Sequence, residues 1–260
     1  MRRRAAILTL AATALLVTAC GSRQEPVASV PAEVVTVPDG AGGVVAIRPT
    51  DGPTVTTDVG AASTLQALGA PFELVTVDRL AQRLRSAPLP RLAVLAPGVE
   101  AAPGVPVLRW AVGDPSAAGT LMARLGLATG KGAEGIRLGR SVDAGVHGAL
   151  VRAGAQPADK VLVEGSAAPQ IATLVQRLHA TPVGYSGVIG VQRDNPSAWL
   201  VSPGTPRTLA SLRATPELRR VPAIQQRRFR VVDPSLFSPS PELPSRLAEL
   251  VALLHPGAAA

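Results

Sequence analysis

Short apolar runs alternate with helical patterns along most of this 260-residue chain, and that alternation constrains the fold more than any other feature. Strands separated by helices pair in parallel, because each helix carries the chain back across the sheet. The sequence therefore predicts an α/β fold. The candidate strands are residues 54–57, 73–77, 92–96, 105–108, 160–164, 181–183, 198–201 and 229–232.

These strands fall into two groups of four, and the stretch 114–155 between them has no strand pattern. We therefore expect a first lobe over residues 44–130 and a second over 156–260, joined by one long helix over 131–155. One stripe of that helix would carry Ile136, Val142, Val146, Ala149 and Leu150. Four glycines oppose the helix, since each costs roughly 1 kcal/mol relative to alanine. They are Gly135, Gly139, Gly145 and Gly148.

Three helix starts are indicated by an oxygen-bearing cap that precedes a proline, where the missing N–H costs nothing. The pairs are Asp114-Pro115, Thr205-Pro206 and Thr215-Pro216. A last helix near residues 245–254 has one apolar face that we expect to pack on a core. That face consists of Leu247, Leu250, Val251 and Leu254.

The first 19 residues have the order of an export signal: three arginines after Met1, then an uncharged stretch from Ala5 to Ala19. As a helix this stretch would measure about 22 Å, which is shorter than the ~30 Å hydrocarbon core of a bilayer. The stretch Leu16–Cys20 resembles a bacterial lipobox, in which the cysteine is acylated. Because Cys20 is the sole cysteine, no internal disulfide is available to it. The alternative is an ordinary secretory signal.

The leader and anchor together predict a protein held by lipid on the extracytoplasmic face of the cell membrane, with residues 20–43 as a tether. We expect no fixed structure from Gly21 to about Pro38, where Ser, Pro, Glu and Val dominate. Loss of the leader removes three arginines and lowers the formal charge from +8 to +5. Aromatic residues make up 2% of the chain and the arginines are scattered, so nucleic-acid binding is not expected.

Enzymatic activity is not expected either, and the sequence predicts no catalytic residue, metal ligand or cofactor. The chain has no Gly-x-Ser-x-Gly elbow, His-Glu-x-x-His pair or phosphate-binding loop. His147, His179 and His255 lie far apart and do not have the spacing of metal ligands. A structural role is the simpler interpretation of each histidine.

Several segments in a fixed order resemble the substrate-binding proteins that serve ABC importers of iron-siderophores and cobalamin. Residues 221–233 read VPAIQQRRFRVVD, and residues 250–256 read LVALLHP. Earlier in the chain, VTTD at 55–58, LQALGAPFELVTV at 65–77 and PRLAVLAPG at 90–98 match the family's opening strands and helix. Together the matches cover both lobes.

The resemblance implies two Rossmann-like lobes bridged by one long helix, which is the class III periplasmic-binding-protein fold. A monomer of this kind would hold a ferric chelate or a corrinoid between its lobes and deliver it to an ABC permease. The acids that dock the family to its permeases are not clearly matched, since Asp78 is the sole acid between residues 77 and 90. A non-transport adaptor of the same fold, binding a protein or a cell-wall component, is therefore the alternative.

Ligands of open α/β sheets bind beyond the carboxyl ends of strands, and this rule selects the candidate binding residues. The first lobe offers Thr57, Asp58, Pro97, Arg109 and Trp110, and the second offers Glu164, Ser166, Tyr185, Ser202 and Phe237. Arg109 and Trp110 are the foremost pair, because a guanidinium binds an anion and an indole forms an apolar wall. In the alternative, Trp110 fills the edge of the lobe and Arg109 faces water. An ordinary packing role is the alternative for Tyr185.

The lipid anchor is tested by Cys20→Ala. Without an acylated cysteine the protein has no hold on the bilayer, so we expect it to move from the membrane fraction to the medium on fractionation of cells. Retention of the variant on the membrane would refute acylation at this position.

Overall fold

The computed structural model describes residues 34–38, 43–47, 52–110 and 114–255. Cys20 and the predicted leader lie outside them. The strands are β1 Val35–Pro38, β2 Val44–Ile47, β3 Thr54–Thr56, β4 Phe72–Leu74, β5 Leu92–Leu95, β6 Val107–Arg109, β7 Lys160–Glu164, β8 Thr181–Gly184, β9 Ala198–Val201 and β10 Phe229–Val231. The α-helices are α1 Val59–Ala67, α2 Val77–Arg83, α3 Ala118–Ala128, α4 Gly132–Gly154, α5 Ala168–Arg177, α6 Gly187–Asp194, α7 Leu209–Ala214, α8 Pro222–Gln225 and α9 Leu243–Leu254.

Two four-stranded parallel sheets form the two lobes, and both have the same strand order. The first sheet runs β4-β3-β5-β6 and the second runs β8-β7-β9-β10. In each lobe the first strand therefore lies between the second and the third, and the fourth flanks the third. The α/β class and the two groups of four strands are confirmed.

The central strands β5 and β9 are buried on both faces, which explains why they read as continuous apolar runs. Alternate residues of β5 enter two different clusters: Leu92 and Val94 pack with α1 and α3, whereas Ala93 and Leu95 pack with α2. In β9 the fully buried Trp199 similarly faces α6 to α8, away from Leu200. The sheets are thus internal layers of their lobes.

The folded body begins earlier than the sequence indicated. Val35–Pro38, which we expected to belong to the tether, pairs antiparallel with β2 in register from Val35↔Ile47 to Pro38↔Val44. The side chain of Val37 is fully buried in the main core cluster together with Ile47. This apolar burial, with the backbone pairing, fixes a segment whose composition alone resembled a linker.

A single 23-residue helix, α4, connects the lobes, and its glycines have a packing reason. A Cβ on Gly139 would lie 2.3 Å from the carbonyl oxygen of Gly119 in α3. A Cβ on Gly145 would lie 2.6 Å from Pro244 in α9. The glycines that lower helix propensity therefore allow two neighbouring helices to approach α4 closely.

Helix α9 packs on the other side of α4, as the apolar stripe of its sequence predicts. The four stripe residues are all at most 4% exposed. His255 follows the helix, and its Nε2 lies 2.8 Å from the carbonyl oxygen of Leu178, so its role is structural. The helix belongs to the same cluster as Val142, Val146 and Ala149 of α4.

Two local predictions need correction. The strand expected over 73–77 ends at Leu74, because β4 pairs with β3 over three residues and α2 then begins at Val77. The helix expected at Thr205-Pro206 begins at Leu209, where Thr208 accepts a hydrogen bond from the backbone N–H of Ser211. The other two cap-proline pairs begin short 3₁₀ turns at Pro115 and Pro216.

The packing of α3 on α4 is tested by Gly139→Ala, with Gly148→Ala as the matched control on the same helix. A Cβ on Gly148 meets nothing closer than 3.5 Å. We expect Gly139→Ala to lower the free energy of unfolding by about 1–3 kcal/mol through overpacking. The control should leave stability unchanged or raise it by up to about 1 kcal/mol. Equal responses in urea denaturation would contradict the close approach.

Candidate functional site

The carboxyl ends of strands at which the strand order reverses are the expected ligand sites of open parallel sheets. Here the reversal lies between β3 and β5 in the first lobe and between β7 and β9 in the second. Thr57 and Asp58 follow β3, and Pro97 follows β5. Glu164 ends β7 and Ser202 follows β9. The fold therefore brings these predicted residues to the reversal point of their own lobe.

Asp58 is engaged by the protein itself. Its carboxylate caps α1 by accepting the backbone N–H of Ala61 at 2.9 Å, and it also accepts the Ser238 hydroxyl at 2.9 and 3.0 Å. A carboxylate with three such contacts is positioned by the fold. We therefore assign Asp58 to a structural contact, whereas Thr57 beside it is half-buried.

Arg109 and Trp110, which we predicted to contact a solute as a pair, both make contacts within the protein. One guanidinium nitrogen of Arg109 donates to the carbonyl oxygen of Val99 and also lies 3.4 Å from that of Ala96. This holds the loop of the exposed Pro97. Trp110 is fully buried, and its Nε1–H donates to the Pro239 carbonyl at 3.1 Å. The indole of Trp110 therefore forms no open wall, whereas a contact of Arg109 with an anion stays a prediction.

Residues 238–242, which we call the crossing segment, run from the second lobe against the first. Besides the contacts of Ser238 and Pro239, the Ser63 hydroxyl on α1 donates to the Glu242 carboxylate at 2.8 and 2.9 Å. Gly60 permits the approach, since a Cβ there would lie 2.7 Å from the Pro239 carbonyl oxygen. The lobes are thus joined by side-chain contacts as well as by α4.

The pKa of Glu242 in the crossing segment is shifted by its surroundings. Partial burial opposes the charged carboxylate, but the hydrogen bond from Ser63 favours it, and the net effect lowers the pKa of Glu242 below its usual range. A lowered pKa means that the carboxylate adds stability above its unfolded-state pKa. That contribution disappears as the pH falls through the folded-state pKa.

The second lobe presents a cluster of charged and aromatic side chains, which we call the Arg207 cluster. It consists of Glu164, Tyr185, Trp199 and Arg207. Arg207 Nε donates to Glu164 Oε1 at 2.7 Å, and Trp199 Nε1 donates to Glu164 Oε2 at 3.3 Å. The guanidinium carbon of Arg207 lies 4.1 Å from the centre of the Tyr185 ring, within cation–π range. Tyr185 and Trp199 are themselves in ring contact at 6.0 Å.

Arg207 keeps its charge in this cluster. The hydrogen bond to Glu164 raises the pKa of the guanidinium above its usual value and outweighs the opposing effect of burial. The side chain is 30% exposed, whereas that of Glu164 is 17% exposed. The cluster therefore presents a partly exposed, permanently charged group beside an aromatic ring.

Sequence reasoning placed Glu164 and Tyr185 among the candidates but missed Arg207 and Trp199. Trp199 lies inside β9, where the rule of strand ends does not apply. Arg207 lies in the loop before α7. We missed it because the helix was expected to begin at Thr205-Pro206, which would have placed Arg207 inside that helix. The sequence signal that could have identified Arg207 is the polar loop after β9, which has an arginine near its end.

The three remaining candidates, Ser166, Ser202 and Phe237, differ in exposure and in the contacts they make. Ser166 is exposed after β7, and Ser202 is buried with its hydroxyl 3.4 Å from that of Thr205. Phe237 lines an apolar pocket of about 220 Å³ with Ile171 and Leu174 of α5, and its chain neighbour Ser238 contacts Asp58. A contact of Phe237 with a solute stays a prediction.

Large apolar side chains are exposed near the carboxyl ends of both sheets. Leu74 ends β4 and is 52% exposed, and Val59 and Val77 at the starts of α1 and α2 are exposed above 60%. In the second lobe, Ile189 in the first turn of α6 is 82% exposed. Apolar side chains at the same end of both lobes offer contact area to a solute or a partner.

No metal site is indicated by the described residues, which contain no group of three or more His, Cys, Asp or Glu side chains able to hold an ion. Within the same ranges, none of the helices has the length and apolar character needed to cross a membrane.

Comparisons with known proteins gave matches by structure. No protein-family model matches the chain, and a search of curated proteins found no match. A periplasmic heme-binding protein from Roseiflexus sp. RS-1 is similar with a TM-score of 0.57 and 17% identity, covering 80% of this chain and 100% of its own. An ABC transporter substrate-binding protein from Listeria monocytogenes EGD-e gives 0.56 and 15%, with coverages of 78% and 99%.

A periplasmic solute binding protein from Veillonella parvula DSM 2008 has a TM-score of 0.61 at 11% identity, covering 87% of this chain and 88% of its own. At such identities the likeness concerns the fold. This chain has the fold of class III periplasmic binding proteins, with two α/β lobes joined by one long helix.

The crossing segment is tested by Ser238→Ala. The variant removes the Ser238 hydroxyl, whose single proton is shared by the two oxygens of the Asp58 carboxylate. We therefore expect a loss of about 1.5–3 kcal/mol in the free energy of unfolding, measured with urea. Ser235→Ala, at an exposed neighbouring position, is the control and should change stability by less than about 0.5 kcal/mol. A Ser238→Ala variant as stable as the control would show that the contact does not hold the lobes.

Proposed function

We propose that this protein is the solute-binding component of an ABC importer and captures an anionic, apolar-faced metal chelate or tetrapyrrole between its lobes. The observation that carries the proposal is the Arg207 cluster at the strand-order reversal of the second lobe. It lies where open α/β sheets bind ligands, and it combines a cation with an aromatic face.

The ligand class follows from the side chains available. Arg207 can form two parallel hydrogen bonds to a carboxylate, and Tyr185 offers a flat ring beside it. The exposed apolar residues Leu74, Val77 and Ile189 add surface suited to an apolar face of the ligand. Iron-siderophores, corrinoids and heme each combine polar or anionic groups with a large apolar body. The names of several similar structures, which are heme-binding proteins, support heme as the first probe.

Binding would proceed with limited movement of the lobes. Helix α4 is fixed to α3 and to α9 by close approaches, and the crossing segment adds hydrogen bonds between the lobes. A wide hinge opening would break the hydrogen bonds of the crossing segment to Asp58 and Trp110. We therefore infer that the solute enters with small adjustments of the lobes and that Arg207 exchanges part of its contact with Glu164 for an anionic group of the solute.

The location of the protein is part of the proposal. An acylated Cys20 would hold the body outside the cytoplasmic membrane, near a permease. The monomeric state expected from the family resemblance suits that arrangement, since one body would dock on one transporter.

One observation favours a second candidate, the non-transport adaptor. Among residues 192–195, where the second docking acid of the family is expected, Asp194 is the sole acid. Its side chain is only 18% exposed and lies 3.4 Å from Arg193. A carboxylate that is shielded and paired in this way is a weak docking point for an arginine of a permease.

The proposal is tested by titrating the protein with heme, a ferric siderophore and a corrinoid. We expect one of them to bind at micromolar concentration and to change the emission of Trp199, which belongs to the Arg207 cluster. Arg207→Ala should weaken that binding at least tenfold, because it removes the cation and leaves the Glu164 carboxylate unpaired. Arg193→Ala is the control, since Arg193 pairs with Asp194 on the surface of the same lobe.

Flat titrations with all three solutes would count against the transport role. Recovery of a protein partner without an importer on co-purification would then support the adaptor. Equal losses in Arg207→Ala and Arg193→Ala would place the solute outside the Arg207 cluster.

A further inference from the structure

Six arginines and a single acid, Glu217, lie within residues 213–230 of the second lobe. Five of these arginines are exposed and Arg228 is half-buried. The six residues, which we call the arginine face, are Arg213, Arg219, Arg220, Arg227, Arg228 and Arg230. The arginines elsewhere in the chain are more scattered, whereas these six fall within 18 consecutive residues.

The tertiary structure places the arginine face on adjoining elements. Arg219 Nε donates to the backbone carbonyl of Arg213 at 2.9 Å, which joins the end of α7 to the following turn. Arg213 and Arg219 line one groove with Ile224 and Gln225 of α8. The backbone N–H of Arg228 bonds back to Ala223 of the same helix at 2.8 Å. The segment therefore folds as one surface patch.

The positive charge of the face is largely uncompensated. Among the described residues, Arg213, Arg220 and Arg227 form no ion pair. Arg230 at the margin pairs with Glu249 of α9 at 3.5 Å, and both side chains are more than half exposed. Such exposed pairs weaken the local potential only slightly, so an anionic partner remains favoured.

The arginine face lies at the end of the lobe opposite the Arg207 cluster. Arg228 precedes β10 and Ala223 bonds to Pro196 ahead of β9, so the face surrounds the amino ends of these strands. Glu164, by contrast, sits at the carboxyl end of β7. A partner on the arginine face would therefore leave the proposed solute site uncovered.

We infer that the arginine face binds the anionic phospholipid headgroups of a membrane. Guanidinium groups bind phosphate oxygens in pairs of hydrogen bonds, and several basic side chains near a negatively charged bilayer act together. The inference rests in part on the proposed acylation of Cys20, because the 14 residues from Cys20 to Val34 span at most about 50 Å when extended. A body with that anchor would stay near the membrane surface.

The experiment uses residues 21–260, which contain the whole compact unit Val34–Ala260 but neither the leader nor Cys20. Co-sedimentation is measured with vesicles of 30% phosphatidylglycerol in phosphatidylcholine and with pure phosphatidylcholine. We expect binding to the anionic vesicles alone, with a loss as salt is raised. The double variant Arg213→Glu/Arg220→Glu should bind at least tenfold more weakly, since each basic group near the surface contributes about fivefold.

The matched control is Arg79→Glu/Arg85→Glu, which makes the same charge change at exposed positions of the first lobe. Less than threefold weakening in this control would support the arginine face. Equal weakening in both double variants would show an effect of net charge and overturn the proposal. Failure of the parent chain to bind anionic vesicles would overturn it too, as would binding to a soluble polyglycerol phosphate with none to vesicles. Solute binding is measured separately, so the outcome does not depend on the proposed transport role.

Discussion

The close approach of α3 to α4 is the constraint on which the rest of this structure depends. Helix α4 is the covalent connection between the lobes, and its position is set where the Gly139 backbone meets the carbonyl of Gly119. Asp143 of α4 adds a hydrogen bond, its carboxylate accepting from the Gly119 N–H at 2.9 Å. Because α9 packs on α4 at Gly145, one helix holds the packing of both lobes.

The crossing segment engages polar groups at the carboxyl ends of the first sheet. It takes up the hydrogen-bonding capacity of Asp58 and covers the indole of Trp110, two groups that lie at the carboxyl ends of the first sheet. The charged and aromatic contacts left for a solute are consequently concentrated in the second lobe, around Arg207. The first lobe contributes mainly apolar surface through Val59, Leu74 and Val77. In the proposed site, the second lobe would therefore supply polar contacts and the first lobe apolar ones.

The arginines of the second lobe serve in two different settings. Arg207 is held by Glu164 and by the Tyr185 ring, so its orientation is fixed. The arginine face at the opposite end consists mostly of exposed side chains, several of which have no ion pair among the described residues. A fixed guanidinium suits a particular solute, whereas an exposed group of charges suits an extended anionic surface.

The sequence by itself determined the α/β class, the two groups of four strands, the long helix between them and the buried face of α9. These features follow from the spacing of apolar residues along the chain, because that spacing indicates which face of each helix or strand is buried. Helix propensity could not explain the glycines of α4. Gly139 and Gly145 allow close approach of α3 and α9, and a propensity scale does not record which helices pack together. The pairing of Val35–Pro38 with the next strand, β2, is local, and it was missed because the segment has the composition of a linker.

For the site, the rule of strand ends identified Glu164 and Tyr185 from the amino-acid order alone. Only the tertiary structure decided that Arg207 and Trp199 join them and that Arg109 and Trp110 serve internal contacts. Hydrogen bonds such as Trp110 to Pro239 connect residues more than a hundred positions apart. No local pattern in a sequence specifies such a partner, since the partner is chosen by how the lobes pack.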